Sequence, residues 1–97
     1  MFMSILSGHV SLENWSNLER SYTKAVRHPP RGLVKSYLIH STQDARIWKI
    51  ITLWKSQEAF EECKRLQGLD PCTQMFCDAG STPDRTTFDV MKQYILV

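Results

Sequence analysis

Ninety-seven residues suffice for one hydrophobic core but not to cover both faces of a β-sheet, so a single domain over residues 1–97 and a partner subunit are both expected. Twelve Lys and Arg against ten Asp and Glu leave a net charge of +2, and no run of like charge occurs, which argues against a nucleic-acid surface. The opening lacks the basic region and apolar length of a signal peptide, no stretch reads as a membrane span, and three cysteines without C-x-x-C spacing predict reduced thiols in a cytoplasmic protein rather than a disulfide framework.

Met1 to Val10 reads as a first strand, with Phe2, Leu6 and Val10 on one face and Met3, Ile5 and His9 on the other. Gly8 within it marks a bulge or a close backbone approach. Ser11 is the expected N-cap of a helix running to about His28, with an apolar stripe of Leu12, Trp15, Leu18, Tyr22, Ala25 and Val26. Glu13 at its start and Lys24, Arg27 and His28 at its end suit the helix dipole, and Pro29 and Pro30 stop it.

Gly32 opens a second strand, Leu33 to His40, and Ser41 to Ala45 form a polar turn into a third. From Ile47 to Trp54 both alternating sets are largely apolar, which predicts a central strand covered on both faces. Ser56 then offers a hydroxyl to the free amides of a second helix, Glu58 sits in its first turn, and Ala59, Phe60, Cys63 and Leu66 follow at helical spacing. That helix is expected to end near Gly68; Asp70 and Pro71 start a further helical turn over Cys72 to Cys77. After a loop from Gly80 to Asp84, a last strand is expected from Thr86 to Val97. The order is α+β, the ferredoxin-like βαββαβ arrangement, with helices on one sheet face and an apolar second face suited to a homodimer.

At Trp54-Lys55-Ser56-Gln57-Glu58-Ala59-Phe60 the sequence resembles the antibiotic biosynthesis monooxygenase family, in which a strand ending in Trp is followed by a helix opening with a polar pair. Gly32 and the strands up to Trp54 fit the same pattern, so the resemblance covers Gly32 to Cys63. It implies a dimeric α+β barrel with a pocket between sheet and helices, and oxidation of quinol-like or polycyclic aromatic small molecules without metal or flavin; a related branch degrades haem. Nine residues after the motif Trp, quinol-oxidising members tend to carry His and haem-degrading members Trp, whereas this chain has Cys63. The first strand has no Asn, and no His stands near Thr73 where a haem ligand is looked for.

The chemistry-bearing candidates follow from residue type. Trp48 and Trp54 are suited to stack on a flat aromatic ligand, although Trp54 belongs to the fold motif and reads first as core. His9 and His40 are the candidate bases for a phenolic proton, the resulting anion then reacting with oxygen. Tyr37 and Tyr22 are candidates to hold a substrate oxygen. Cys63 is expected on the sheet-facing side of its helix, as a small apolar group or as space opened where relatives carry a ring. Cys72, opening a helical turn, is better placed for reactivity, while Met75 and Phe76 read as core. No ligand spacing for a metal and no Gly-rich dinucleotide loop is present, so a cofactor-free protein is expected. A non-catalytic ligand-binding or regulatory dimer is the alternative. An RNA-recognition domain would share the element order, but the third strand lacks its basic-Gly-aromatic pattern.

Overall fold

Alternation along Ile47–Trp54 decides the architecture. In the computed structural model, which describes residues 1–67 and 71–96, Trp48, Ile50, Thr52 and Trp54 are buried while Ile47, Lys49, Ile51 and Leu53 are half-exposed. One face of this strand is therefore covered by helices and the other is not, so the expectation of burial on both faces holds for one face of the chain alone. The strands are β1 (Phe2–His9), β2 (Leu33–His40), β3 (Ile47–Trp54) and β4 (Asp84–Asp89), and the helices α1 (Trp15–Ala25), α2 (Gln57–Gln67) and α3 (Pro71–Asp78). The sheet is antiparallel in the order β2-β3-β1-β4, which is the α+β, ferredoxin-like topology with an added helix. The anticipated helix stop at Gly68 and the cap at Asp70 lie outside the described residues.

Two apolar clusters sit on the helix-covered face. Leu6, Val10, Leu18, Trp48, Ile50 and Phe76 lead one, packed between α1, α3 and the sheet. Phe2, Trp54, Phe60 and Cys63 form the other, under α2. Leu18 is fully buried, so its truncation to Ala is expected to cost about 2–5 kcal/mol. Between the clusters runs a cross-strand row of hydroxyls: Ser36 opposite Thr52, Thr52 opposite Ser4, and Ser4 opposite Thr87.

Two glycines place the helices. Gly8 faces α3 so closely that a Cβ there would lie 2.8 Å from the Phe76 ring and 2.7 Å from Ser81 Oγ; the register through Gly8 is unbroken, so it is a close approach and not a bulge. Gly32 has φ +88°, and a Cβ would meet that of Ala59 at 2.6 Å, which seats the start of α2 against the entry to β2. Ser56 Oγ accepts from the Ala59 amide at 3.1 Å, the expected N-cap.

Both ends of α1, expected to run to about His28, and both ends of β4 differ from expectation. The first helix starts at Trp15, after a 3-10 turn over Leu12–Asn14, and neither Ser11 nor Asn14 caps with its side chain. The tighter turn shifts the phase of the stripe, leaving Leu12 73% exposed, and Val26, already past the helix, is 44% exposed. On α2, Leu66 is exposed as well. β4 begins at Asp84 and ends at Asp89. Val90 N–H still donates to the Met1 carbonyl at 2.9 Å, using up the pairing that β1 offers, and Met91, Tyr94, Ile95 and Leu96 are exposed beyond it.

Candidate functional site

The hydroxyl row opens into a pocket of about 630 Å³ between β2, β3 and the helices. Its walls are mostly apolar, with Leu33, Trp54, Met75 and Ala25 among them, and Pro29, Pro30 and Pro71 line it as well. Three features keep it open. The α1 stripe ends at Ala25, whose small side chain leaves space. Trp15 is turned away, donating its indole N–H to the Val10 carbonyl at 2.9 Å. Phe60 is committed to Phe2, with ring centroids 5.2 Å apart.

Polar groups enter the pocket sparingly. Tyr22 on α1 and Ser36 on β2 both line it, and the Tyr22 hydroxyl donates to Ser36 Oγ at 2.9 Å. Thr52, buried, stands next to Ser36 across the strands. Trp54 Nε1 donates to Ser4 Oγ at 3.2 Å, so this wall tryptophan is tied to the same hydroxyl row. His28 lies exposed at the mouth, just past the end of α1.

Two thiols face this space from different helices, Cys63 of α2 and Cys72 of α3. Burial pushes the Cys63 thiol above its ordinary pKa, with the Arg85 charge acting in the opposite sense. Burial pushes Cys72 up to about 11, and Cys63 nearby adds to the rise. Arg85 on β4 donates to Thr73 Oγ1 at 3.2 Å and lies over the Phe60 ring, 5.3 Å from its centroid. Its own pKa is lowered by burial.

The sequence candidates divide between the two faces of the sheet. Tyr22, Cys63 and Trp54 line the pocket. Trp48 is buried in the core cluster beyond it. His40 is on the same face but at the far end, stacked on Trp48. Tyr37 alternates with Ser36 and Leu38 and so falls on the helix-free face, 53% exposed. His9, opposite Ile47, is also on that face and exposed. The two histidines singled out from sequence, His9 and His40, are thus absent from the pocket lining, as are Tyr37 and Trp48, because strand alternation and distance along the sheet take them elsewhere. Ser36, Thr52 and His28 were not legible as site residues: a hydroxyl in a strand carries no signal until its cross-strand neighbours are known. Among the described residues no group of three or more His, Cys, Asp and Glu is placed to hold a metal, and no helix is long and apolar enough to cross a membrane.

No protein-family model matches the chain, and no curated protein matches it. Solved structures do. A putative antibiotic biosynthesis monooxygenase from Deinococcus radiodurans superposes with a TM-score of 0.79 at 14% identity, covering 100% of this chain and 99% of that one. SnoaB, a cofactor-independent oxygenase from Streptomyces nogalater, gives 0.68 at 19% identity, with 95% and 94% covered. The chain has the antibiotic biosynthesis monooxygenase fold. MhuD, in a mutant form with two manganese protoporphyrin IX molecules bound per active site, gives 0.71 at 18% identity, with 97% and 98% covered. The resemblance seen at Trp54 to Phe60 is thereby borne out at the level of this fold, and in the antibiotic biosynthesis monooxygenase fold of this chain Cys63 stands at the pocket wall.

Proposed function

We propose that residues 1–97 form one domain that works as a cytoplasmic homodimer and binds a flat quinol-like or polycyclic aromatic molecule, oxidising it without metal or flavin. The observation that carries this reading is the open, mainly apolar pocket with a hydroxyl pair, Tyr22 and Ser36, fixed on its wall. A volume of about 630 Å³ is of the size that takes a compact polycyclic ligand. Trp54 offers a ring surface, and Tyr22, Ser36 and Thr52 offer hydrogen bonds to a phenolic or carbonyl oxygen. His28 at the mouth is the pocket's imidazole, and it replaces His9 and His40 as the group to accept a substrate proton. The substrate anion then supplies the electrons: a ring methylene becomes a carbonyl, one atom of dioxygen stays on carbon, and the other leaves as water with the methylene hydrogens. The similarity in fold to SnoaB, a cofactor-independent oxygenase, supports oxygenation without a cofactor.

The alternative is a non-catalytic binding dimer on the same scaffold. It is favoured by the exposure of His28, the lone histidine among the residues lining the pocket. Oxygen uptake with a panel of anthrones and naphthohydroquinones separates the readings. Uptake above the uncatalysed rate, lost in His28→Ala with binding retained, is expected for the enzyme. Tight binding without uptake moves the protein to the binding class, and no binding of any panel member overturns both.

A further inference from the structure

Cys63 has an unusual position for a buried thiol. It lines the main pocket and also a smaller hollow of about 190 Å³ on its outer side, shared with Ala59, Glu62 and Leu66. Cys72 lines the main pocket from the neighbouring helix. Cys77, by contrast, is exposed. A flat ligand in the main pocket would therefore have two cysteines among its apolar walls.

We propose that the pocket is a covalent capture site for quinoid carbonyl compounds, with Cys63 as the point of attachment. The inference rests on the reading of the pocket as a site for flat aromatics, since a quinone is the oxidised partner of the quinols it fits. The step needs no outside oxidant. The Cys63 sulfur adds to a ring carbon of the quinone, forming a C–S bond. The C=C π electrons move to the carbonyl oxygen, which takes up the thiol proton, and after the ring proton shifts to the second oxygen the product is a hydroquinone thioether. The thiol adds, the quinone is reduced, and nothing leaves.

Burial sets the selectivity. Both pocket thiols stay protonated at neutral pH, so they react slowly with polar reagents arriving from water. A bound quinone is held beside the sulfur, and proximity offsets the small thiolate fraction. Between the two, Cys63 has the Arg85 charge to favour its thiolate, whereas Cys72 is raised further by its thiol neighbour.

The test is peptide mapping by mass spectrometry after anaerobic exposure of the whole chain to 1,4-naphthoquinone, with and without excess 2-naphthol, a flat competitor that is not an electrophile. The expected result is an adduct on Cys63 whose rate saturates with quinone and falls several-fold with 2-naphthol, beside an adduct on exposed Cys77 that grows linearly and is not protected. In urea both differences should vanish. Cys63→Ala should lose the saturable adduct and keep that on Cys77, and because the protection pattern is read on the unaltered chain, a poorly folding variant does not decide the matter. Labelling of Cys77 alone, or unprotected linear labelling of every thiol, overturns the proposal; a saturable adduct on Cys72 instead overturns the assignment to Cys63. Because the reaction is run without oxygen, an adduct without oxidase activity leaves the capture site standing while the enzymatic reading fails, and turnover without an adduct does the reverse.

Discussion

The imidazole of His40 lies flat on the indole of Trp48, with ring centroids 4.0 Å apart and planes 11° from parallel. Trp15 closes the group edge-on, 4.6 Å from His40 and 5.8 Å from Trp48 between centroids. His40 Nε2–H donates to the Ala45 carbonyl at 2.6 Å, which ties the β2–β3 turn to the core. The stack and the hydrogen bond give this histidine a structural role. His40→Ala should lower stability by about 1–2 kcal/mol through the lost stack and hydrogen bond and alter tryptophan fluorescence, while ligand affinity is unchanged. Denaturant melts and a binding titration on the same preparations check both parts.

Tyr22→Phe removes one donor and leaves Ser36 and the ring in place. The cost in stability should be about 0.5–1.5 kcal/mol. A ligand with a phenolic oxygen should lose more affinity than its deoxygenated analogue, and equal losses for the two would remove Tyr22 from the binding site.

Gly8→Ala tests the contact between β1 and α3. The added methyl meets the Phe76 ring and Ser81 within 3 Å, neither of which is a loose surface group, since both are buried. Overpacking of this kind should cost about 1–3 kcal/mol, measured by urea unfolding, with unchanged sheet content by circular dichroism.

Cys72 gives a pH dependence of definite sign. Its folded pKa is raised from 9.0 to about 11, so across that interval the folded chain keeps a proton that the unfolded chain releases. Stability contributed by the neutral thiol is complete below pH 9 and falls as pH rises toward 11, by up to about 3 kcal/mol. Other groups titrate there as well, so the measurement is the difference in unfolding free energy between wild type and Cys72→Ala at pH 8 and pH 10.5. That difference should shrink as pH rises; a constant difference would mean the thiol is not held neutral by burial.

The helix-free face carries Met3 and Ile5 of β1, Ile51 and Leu53 of β3, Tyr37 of β2 and Phe88 of β4 side by side. Sedimentation at micromolar concentration should show the proposed homodimer. Ile51→Lys, at the centre of that face, should give a monomer that retains its fold at a cost within about 1 kcal/mol; a wild-type monomer removes the dimer from the proposed function.

Most elements were legible because alternation and helical spacing are local properties. Ile47 to Trp54 declares itself a strand, and Ser56 declares a helix start, whatever surrounds them. What stayed hidden depends on pairing across the sheet. Ser4, Ser36 and Thr52 are unremarkable singly and become a hydroxyl row only through the register of β1, β2 and β3. Tyr37 and His9 were assigned to a pocket by chemistry alone, and one step of strand alternation puts each on the opposite face. The early start expected for α1 failed at Leu12 because a 3-10 turn has a different angular step from the helix it precedes. Cys63 was placed correctly on the sheet side of α2, but whether its missing ring became void or packing depended on Phe60 and Trp15, whose partners no sequence pattern reveals.

Three of the four prolines in the chain, Pro29, Pro30 and Pro71, line the pocket. Each ring fixes one backbone dihedral before any ligand arrives. A wall built this way has little conformational freedom left to surrender around a guest. Calorimetry should therefore record a small entropic penalty for ligand uptake compared with a Pro29→Ala, Pro30→Ala double variant, and the rigid wall should discriminate among guests by outline more sharply than by polarity.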